Sequence, residues 1–276
     1  LNTQIRKYLE LVEKVQDLYT LQSDLEWLNV EAVKLAFADM KKQKGYDAAK
    51  YEPMLNELVR LEKKGFKGIY NGDEQAIADA KKALECKRAI LLANPLLDAD
   101  KIVAVRYKLG SRARQAMAPD LGTQANNWSN QESARRSGFD AEIIELTDLR
   151  GDMQMKSIFK PIVADASIAD LRLHWNADRV MFTTLMGDND KRWNVYEVKL
   201  DGTGCKKLVE NEEPDLEFYD GTYLPDGRII ANSNIGYQGV PCVSGDDPVG
   251  NMVLYTPESK NLRRLTFDQD ANWNPV

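Results

Sequence analysis

Four stretches of the chain gather side chains from which chemistry is built. The longest is "GSRARQAMAPDLGTQANNWSNQESARRSGF" (110–139). Its arginines, Arg112, Arg114, Arg135 and Arg136, carry guanidinium forks that suit carboxylate or phosphate. Asn126, Asn127 and Trp128 form a second group, able to hydrogen-bond and stack on a sugar. A second stretch, "NIGYQGVPCVSGDDPVGN" (234–251), holds Tyr237, Cys242, Asp246 and Asp247. Adjacent carboxylates with backbone carbonyls can hold Ca²⁺, and the same Asp side chains equally cap amides within a turn. Cys242 lacks a base nearby in sequence, so no nucleophile is assigned. The third, "GDNDKRW" (187–193), offers Asp188 and Asp190. The fourth is His174-Trp175, which contains the only histidine.

Composition excludes several classes of function. The net charge is −6, with +1 over residues 1–90 and −7 over the rest. Neither part has the basic patch that nucleic acid requires. No apolar run approaches the ~18 residues of a membrane helix. The three cysteines, Cys86, Cys205 and Cys242, form no CxxC pair. A structural zinc site or covalent haem attachment is therefore not expected, and no metal or cofactor is evident. The thiols read as reduced and buried, with a Cys205–Cys242 disulfide open in an oxidising compartment.

The elements that must position these residues change character along the chain. Over residues 1–93 the apolar period is helical. Ile5, Tyr8, Leu9, Leu11, Val12, Val15, Leu18 and Tyr19 share one face. A second helix starts from Asn29 as cap and passes Val33, Phe37 and Met40. A third spans about 48–64, with Pro53 in its first turn and Gly65 ending it. A fourth opens near Asp73 and carries Ile77, Ala80, Leu84 and Ile90. Four helices on short links predict a small antiparallel bundle.

After Asn94-Pro95 the signals become β. "KIVAVR" (101–106), "RVMFTT" (179–184) and "RIIANS" (228–233) each open on a basic residue. "EIIEL" (142–146), "NVYEV" (194–198) and "MVLYT" (252–256) follow them. "MKSIF" (155–159), "CKKLV" (205–209) and "LRRLTF" (262–267) come third. Arg179 and Arg228 lie 49 residues apart, and Trp175 and Trp273 lie twice that. Asp226-Gly227 marks a hairpin ahead of its strand. A repeat of this length with several short strands predicts propeller blades. By the repeat, His174 matches Tyr223 and Trp175 matches Leu224, a point at which such residues pack between blades. The acid-rich "EEPDLEFYD" (212–220) and "FDQD" (267–270) read as turn caps between blades.

The run "YLPDGRIIANS…NMVLYTPESKNLRRLTFDQDANWNP" resembles the TolB-type β-propeller repeat. "VYEVKLDGTGCKKL" is the same element one blade earlier. Through "NVYEVKLDGTG", "GTYLPDGR", "VPCVSG" and "LRRLTFDQDANWNP", residues 95–276 are similar to the propeller region of the hydrazine synthase alpha subunit-like proteins. The resemblance implies the fold. It does not extend to the haem chemistry of that family, since Cys-x-x-Cys-His is absent and His174 stands alone. The helical region resembles the leading segment of exported bacterial relatives, which implies the periplasm or cell surface.

The resulting expectation is an α+β multi-domain chain. A helical bundle (1–93) precedes an incomplete β-propeller (94–276), with blades at approximately 95–165, 166–215 and 216–271. A further blade starts at 272–276. Trp273 stands where Leu224 stands in the repeat, at the entry to another blade, so the chain is expected to be a piece of a longer propeller. Its partners would be the remaining blades or another chain, and possible ligands are a small molecule or a glycan. Blade symmetry brings the links 110–139, 187–193 and 234–251 to one rim. The expected function is a binding or scaffold module with its ligand on that rim. The alternatives are part of a hydrazine-synthase-like redox enzyme with haem sites elsewhere, or a glycan-processing propeller.

Overall fold

The computed structural model describes residues 2–97, 99–107, 138, 140–187, 192–241, 248–273 and 275. It divides into two compact units, residues 1–100 with 148–153, and residues 101–147 with 154–276.

The first unit holds four α-helices among the described residues: α1 (Asn2–Glu26), α2 (Val30–Met40), α3 (Ala48–Lys64) and α4 (Glu74–Leu92). Local chemistry sets their starts. Asn29, Asp47 and Asp73 each accept a hydrogen bond from the backbone N–H three residues on, satisfying a donor that the first turn leaves unpaired. Gly65, at φ 73°, ends α3. Pro53 lies in the second turn of α3 and not the first, because the Asp47 cap starts the helix at Ala48. Its ring sits on the exposed side, so the lost N–H falls where water reaches the backbone. The core joins Val33, Phe37 and Met40 of α2, Leu58 and Leu61 of α3, and Ala83, Cys86 and Ile90 of α4. A smaller cluster seats Leu21, with Leu18 and Leu25, on Ile69, Ala76 and Ala80. Only this second part of α1 packs; residues 4–17 are exposed throughout, contrary to the bundle expectation for the whole helix.

The second unit contains three antiparallel meanders. The first is β1 (Lys101–Arg106), β2 (Glu142–Thr147) and β3 (Gln154–Phe159). The second is β4 (Ile168–Leu173), β5 (Arg179–Thr184), β6 (Asn194–Lys199) and β7 (Lys206–Lys207). The third is β8 (Phe218–Tyr223), β9 (Ile229–Ser233), β10 (Asn251–Thr256) and β11 (Asn261–Arg264). The nine expected β segments all contain strands, with the third segment of the second meander reduced to two residues. Two further strands, β4 and β8, were not expected. "EEPDLEFYD" therefore runs into a strand at Phe218 and is not simply a capped turn.

The sheets stack face to face. Ile143, Ile158 and Phe159 of the first meet Ile168, Val180, Phe182 and Val198 of the second. On its other face, Met181 and Val195 meet Phe218, Ile229, Ala231, Val253 and Tyr255 of the third. Burial follows from this order. β5 and β6 are buried almost without interruption, whereas β10 alternates buried and half-buried positions, as a sheet covered on one face must. The three sheets do not close into a ring.

β4 and β8 share a local irregularity. Pairing skips Asp170 between Ala169 and Leu171, and skips Asp220 and Gly221 between Tyr219 and Thr222. Asp170 and Asp220 both have φ 52°, a left-handed conformation that Asp tolerates better than most residues.

Candidate functional site

Most of the expected rim falls outside the described residues. This applies to Arg112, Arg114, Asn126, Asn127, Trp128, Arg135, Arg136, Asp188, Asp190, Cys242, Asp246 and Asp247. Tyr237 is described. It is exposed, at φ 48°, in a turn where its N–H donates to the Asn234 carbonyl at 2.8 Å. Among the described residues no His, Cys, Asp or Glu cluster could hold a metal ion. Cys86 is buried, as expected, but Cys205 is an exposed thiol.

The described residues form a cleft at the opposite strand ends, between the second and third sheets. Its volume is about 640 Å³. The turn after β4 supplies His174, Trp175 and Asn176. β5 opens into it with Arg179, β6 with Glu197, β7 with Lys206, and β8 ends in it with Tyr223.

Glu197 organises this cleft. Strand alternation turns it, with Val195, to the face that meets the third sheet. It is buried. Tyr223 donates its hydroxyl to Glu197 Oε2 at 3.0 Å. Arg179 Nη1 lies 3.8 Å and Lys206 Nζ 3.4 Å from Oε1. The carboxylate is thus balanced by two cations and one neutral donor, as a buried charge requires. Burial, then the adjacent Glu197 charge and the hydrogen bond to it, hold the Tyr223 phenol far above its ordinary range. Tyr223 stays a proton donor through neutral pH.

The ion pair recurs in the first sheet but not in the third, where Arg228 pairs with Asp226 of its own turn, and the hydroxyl is particular to this interface. Lys101 opens β1 and reaches Glu145 of β2 at 3.4 Å, in the position that Arg179 and Glu197 occupy one sheet later. Tyr223 crosses from the third sheet and adds the neutral donor. Basic residues opening each strand were legible in the sequence. The acid near the end of the following strand, Glu145 and Glu197, carries the signal for this pairing.

His174 packs on Tyr223 edge to face, with ring centroids 4.7 Å apart. The 49-residue equivalence thus brings the two rings together across the sheets. The His174 Nδ1 accepts the N–H of Asn176 at 3.1 Å, which in the neutral ring leaves the proton on Nε2. Trp175 does not pack between sheets as the repeat suggested. It is 69% exposed at the cleft, because it occupies the turn itself rather than a strand face.

No family model matches the chain, and no curated protein matches it. Solved structures similar to it include a TolB protein from Agrobacterium tumefaciens (16% identity, TM-score 0.35, covering 49% of this chain and 41% of that one). A structure of oligogalacturonate lyase in complex with manganese is similar at 14% identity and TM-score 0.36, covering 61% of this chain and 39% of that one. Hydrazine synthase from Kuenenia stuttgartiensis is similar at 10% identity and TM-score 0.45, covering 64% of this chain and 26% of that one. The chain spans less than half the length of each. At these identities none of their activities is carried over to this chain.

Proposed function

We propose that this chain is a segment of a β-propeller that serves as a binding module of a larger, exported protein, and that its ligand is a neutral glycan. The observation that carries this reading is the cleft between the second and third sheets. It pairs an exposed indole, Trp175, with a buried carboxylate, Glu197, whose neighbours are fixed. An aromatic plane beside a few oriented polar groups is the usual composition of a small-molecule site. Arg179 is paired with Asp178 and Glu197, and Lys206 with Glu197, so these lining charges are already partnered and favour hydroxyl groups over a charged ligand. Titration with a panel of neutral oligosaccharides, followed by calorimetry, tests it. Binding that is lost in Trp175→Ala supports the cleft.

A second reading keeps the ligand at the opposite rim. It is favoured by topology: the links β1 to β2, β5 to β6 and β9 to β10 all leave the same end of their sheets. Loss of oligosaccharide binding in Trp128→Ala, with Trp175→Ala unaffected, would select it.

A further inference from the structure

We infer that the first unit carries a binding site of its own, a pocket that takes a carboxylate borne on an aliphatic body. The pocket is lined by the first two turns of α3, the second half of α4 and residues 150–152, all within that unit. It holds about 580 Å³, a volume suited to a small molecule. It shares no residue with the cleft beside Glu197. Helical spacing gathers its lining. Met54 follows Lys50 by four residues on α3, and Leu92 follows Arg88 by four and Ala89 by three on α4, so each helix presents these positions together. Met54, Ala89 and Leu92 are half-buried and give the pocket an aliphatic lining, in which the flexible methionine can adapt to an apolar body.

Charge identifies the other end of the ligand. Lys50, Arg88 and Arg150 line the same pocket, and their contacts are with neutral groups. Arg88 Nη2 donates to the carbonyls of Leu149 at 2.9 Å and Gly151 at 3.1 Å. Arg150 Nε donates to the Leu92 carbonyl at 3.1 Å, and its Nη2 to the Leu97 carbonyl. These bonds hold the guanidinium groups in place without cancelling their charge, and each group has five donors, so N–H groups remain. Lys50 Nζ lies 5.2 Å from the centre of the Tyr51 ring. Of the acids at the pocket, Glu85 pairs with Lys82 at 2.9 Å and Asp152 has its own partner. Among the described residues no acid forms an ion pair with Lys50, Arg88 or Arg150. Three like charges at one pocket repel one another, and an anion relieves that repulsion. A guanidinium fork matches the two oxygens of a carboxylate. Phosphate alone would leave the aliphatic lining wet, and an alcohol would leave the charges unmatched. An aliphatic carboxylate satisfies both.

Titration calorimetry of the full chain at neutral pH tests the inference, with sodium octanoate, 1-octanol, acetate and inorganic phosphate as probes. The expected result is octanoate binding at least about tenfold tighter than that of the other three, weakened by added sodium chloride. Lys50→Gln removes one charge and leaves both arginine anchors intact. Ala89→Glu adds bulk and a like charge to the pocket wall on a residue that suits a helix. The first should weaken octanoate binding several-fold and the second should abolish it, with far-UV circular dichroism melts showing both variants folded. Absence of octanoate binding at millimolar concentration overturns the proposal. So does equal binding of 1-octanol, or octanoate binding that both folded variants leave unchanged.

Discussion

The Asp220 backbone N–H donates to Asp170 Oδ2 across 2.8 Å, joining two strands that occupy the same place in successive sheets. Both residues sit at the skipped position of their strand, and both have φ 52°. The Asp220 carboxylate is held in turn by Asn232 Nδ2 at 3.1 Å and lies 3.6 Å from Arg172 Nη2. This run of polar contacts fixes how the second and third sheets register, and that register sets the cleft at the far strand ends.

The pair makes stability depend on pH. Burial, and then the neighbouring Asp220 carboxylate, raise Asp170 to about 7. Its value in the unfolded chain is about 3.9. The folded state therefore holds a proton that the unfolded state releases above about pH 4. The resulting stability is fully present below that pH and is lost as pH rises through about 7. Asp170→Asn keeps an acceptor for the Asp220 N–H and tolerates positive φ. Its melting temperature should fall less than that of wild type between about pH 5 and 8, by a few degrees. Parallel curves in thermal melts would show that Asp170 does not titrate in this range.

Tyr223→Phe keeps the ring against His174 and deletes only the donor to Glu197. Hydrogen bonds to charged acceptors contribute about 1.5–3 kcal/mol, so denaturant unfolding should show a loss of that order. A change below about 0.5 kcal/mol would mean that water replaces the hydroxyl at no cost.

Two glycines of the third sheet should fail for different reasons. A Cβ on Gly221 would meet Met181 Sδ at 2.5 Å and Val195 Cγ1 at 3.0 Å, in the packed seam between sheets. Gly221→Ala should cost about 1–3 kcal/mol by overpacking, and the shorter Met181→Ala in the same chain should relieve part of it. Gly227 has open space around it but φ 87°. Gly227→Ala should cost about 1 kcal/mol through backbone strain, and no change at Met181 should rescue it. Double-mutant cycles in urea distinguish the two.

These positions explain what the sequence could reveal. The hairpin before β9 was legible because Asp226-Gly227 announces a turn with positive φ. β4 and β8 were hidden because "IADLRL" and "FYDGTY" place Asp, and Asp-Gly, where alternation should run. A bulge residue in left-handed conformation looks like a turn signal when read alone. The His174–Tyr223 equivalence was legible through the repeat. The bond from Tyr223 to Glu197 was not, since it joins strands of different sheets and has no periodicity of its own. The helical period of α1 was equally plain, but an apolar stripe does not say whether its own bundle or another surface covers it.

The central claim is that the cleft beside Glu197 receives a neutral glycan. Saturation-transfer NMR with a panel of neutral oligosaccharides, on wild type, Trp175→Ala and Tyr237→Ala, tests it most directly. The account predicts transfer to at least one oligosaccharide, abolished in Trp175→Ala and retained in Tyr237→Ala. Absence of transfer to the whole panel, or transfer unchanged by Trp175→Ala, would contradict it.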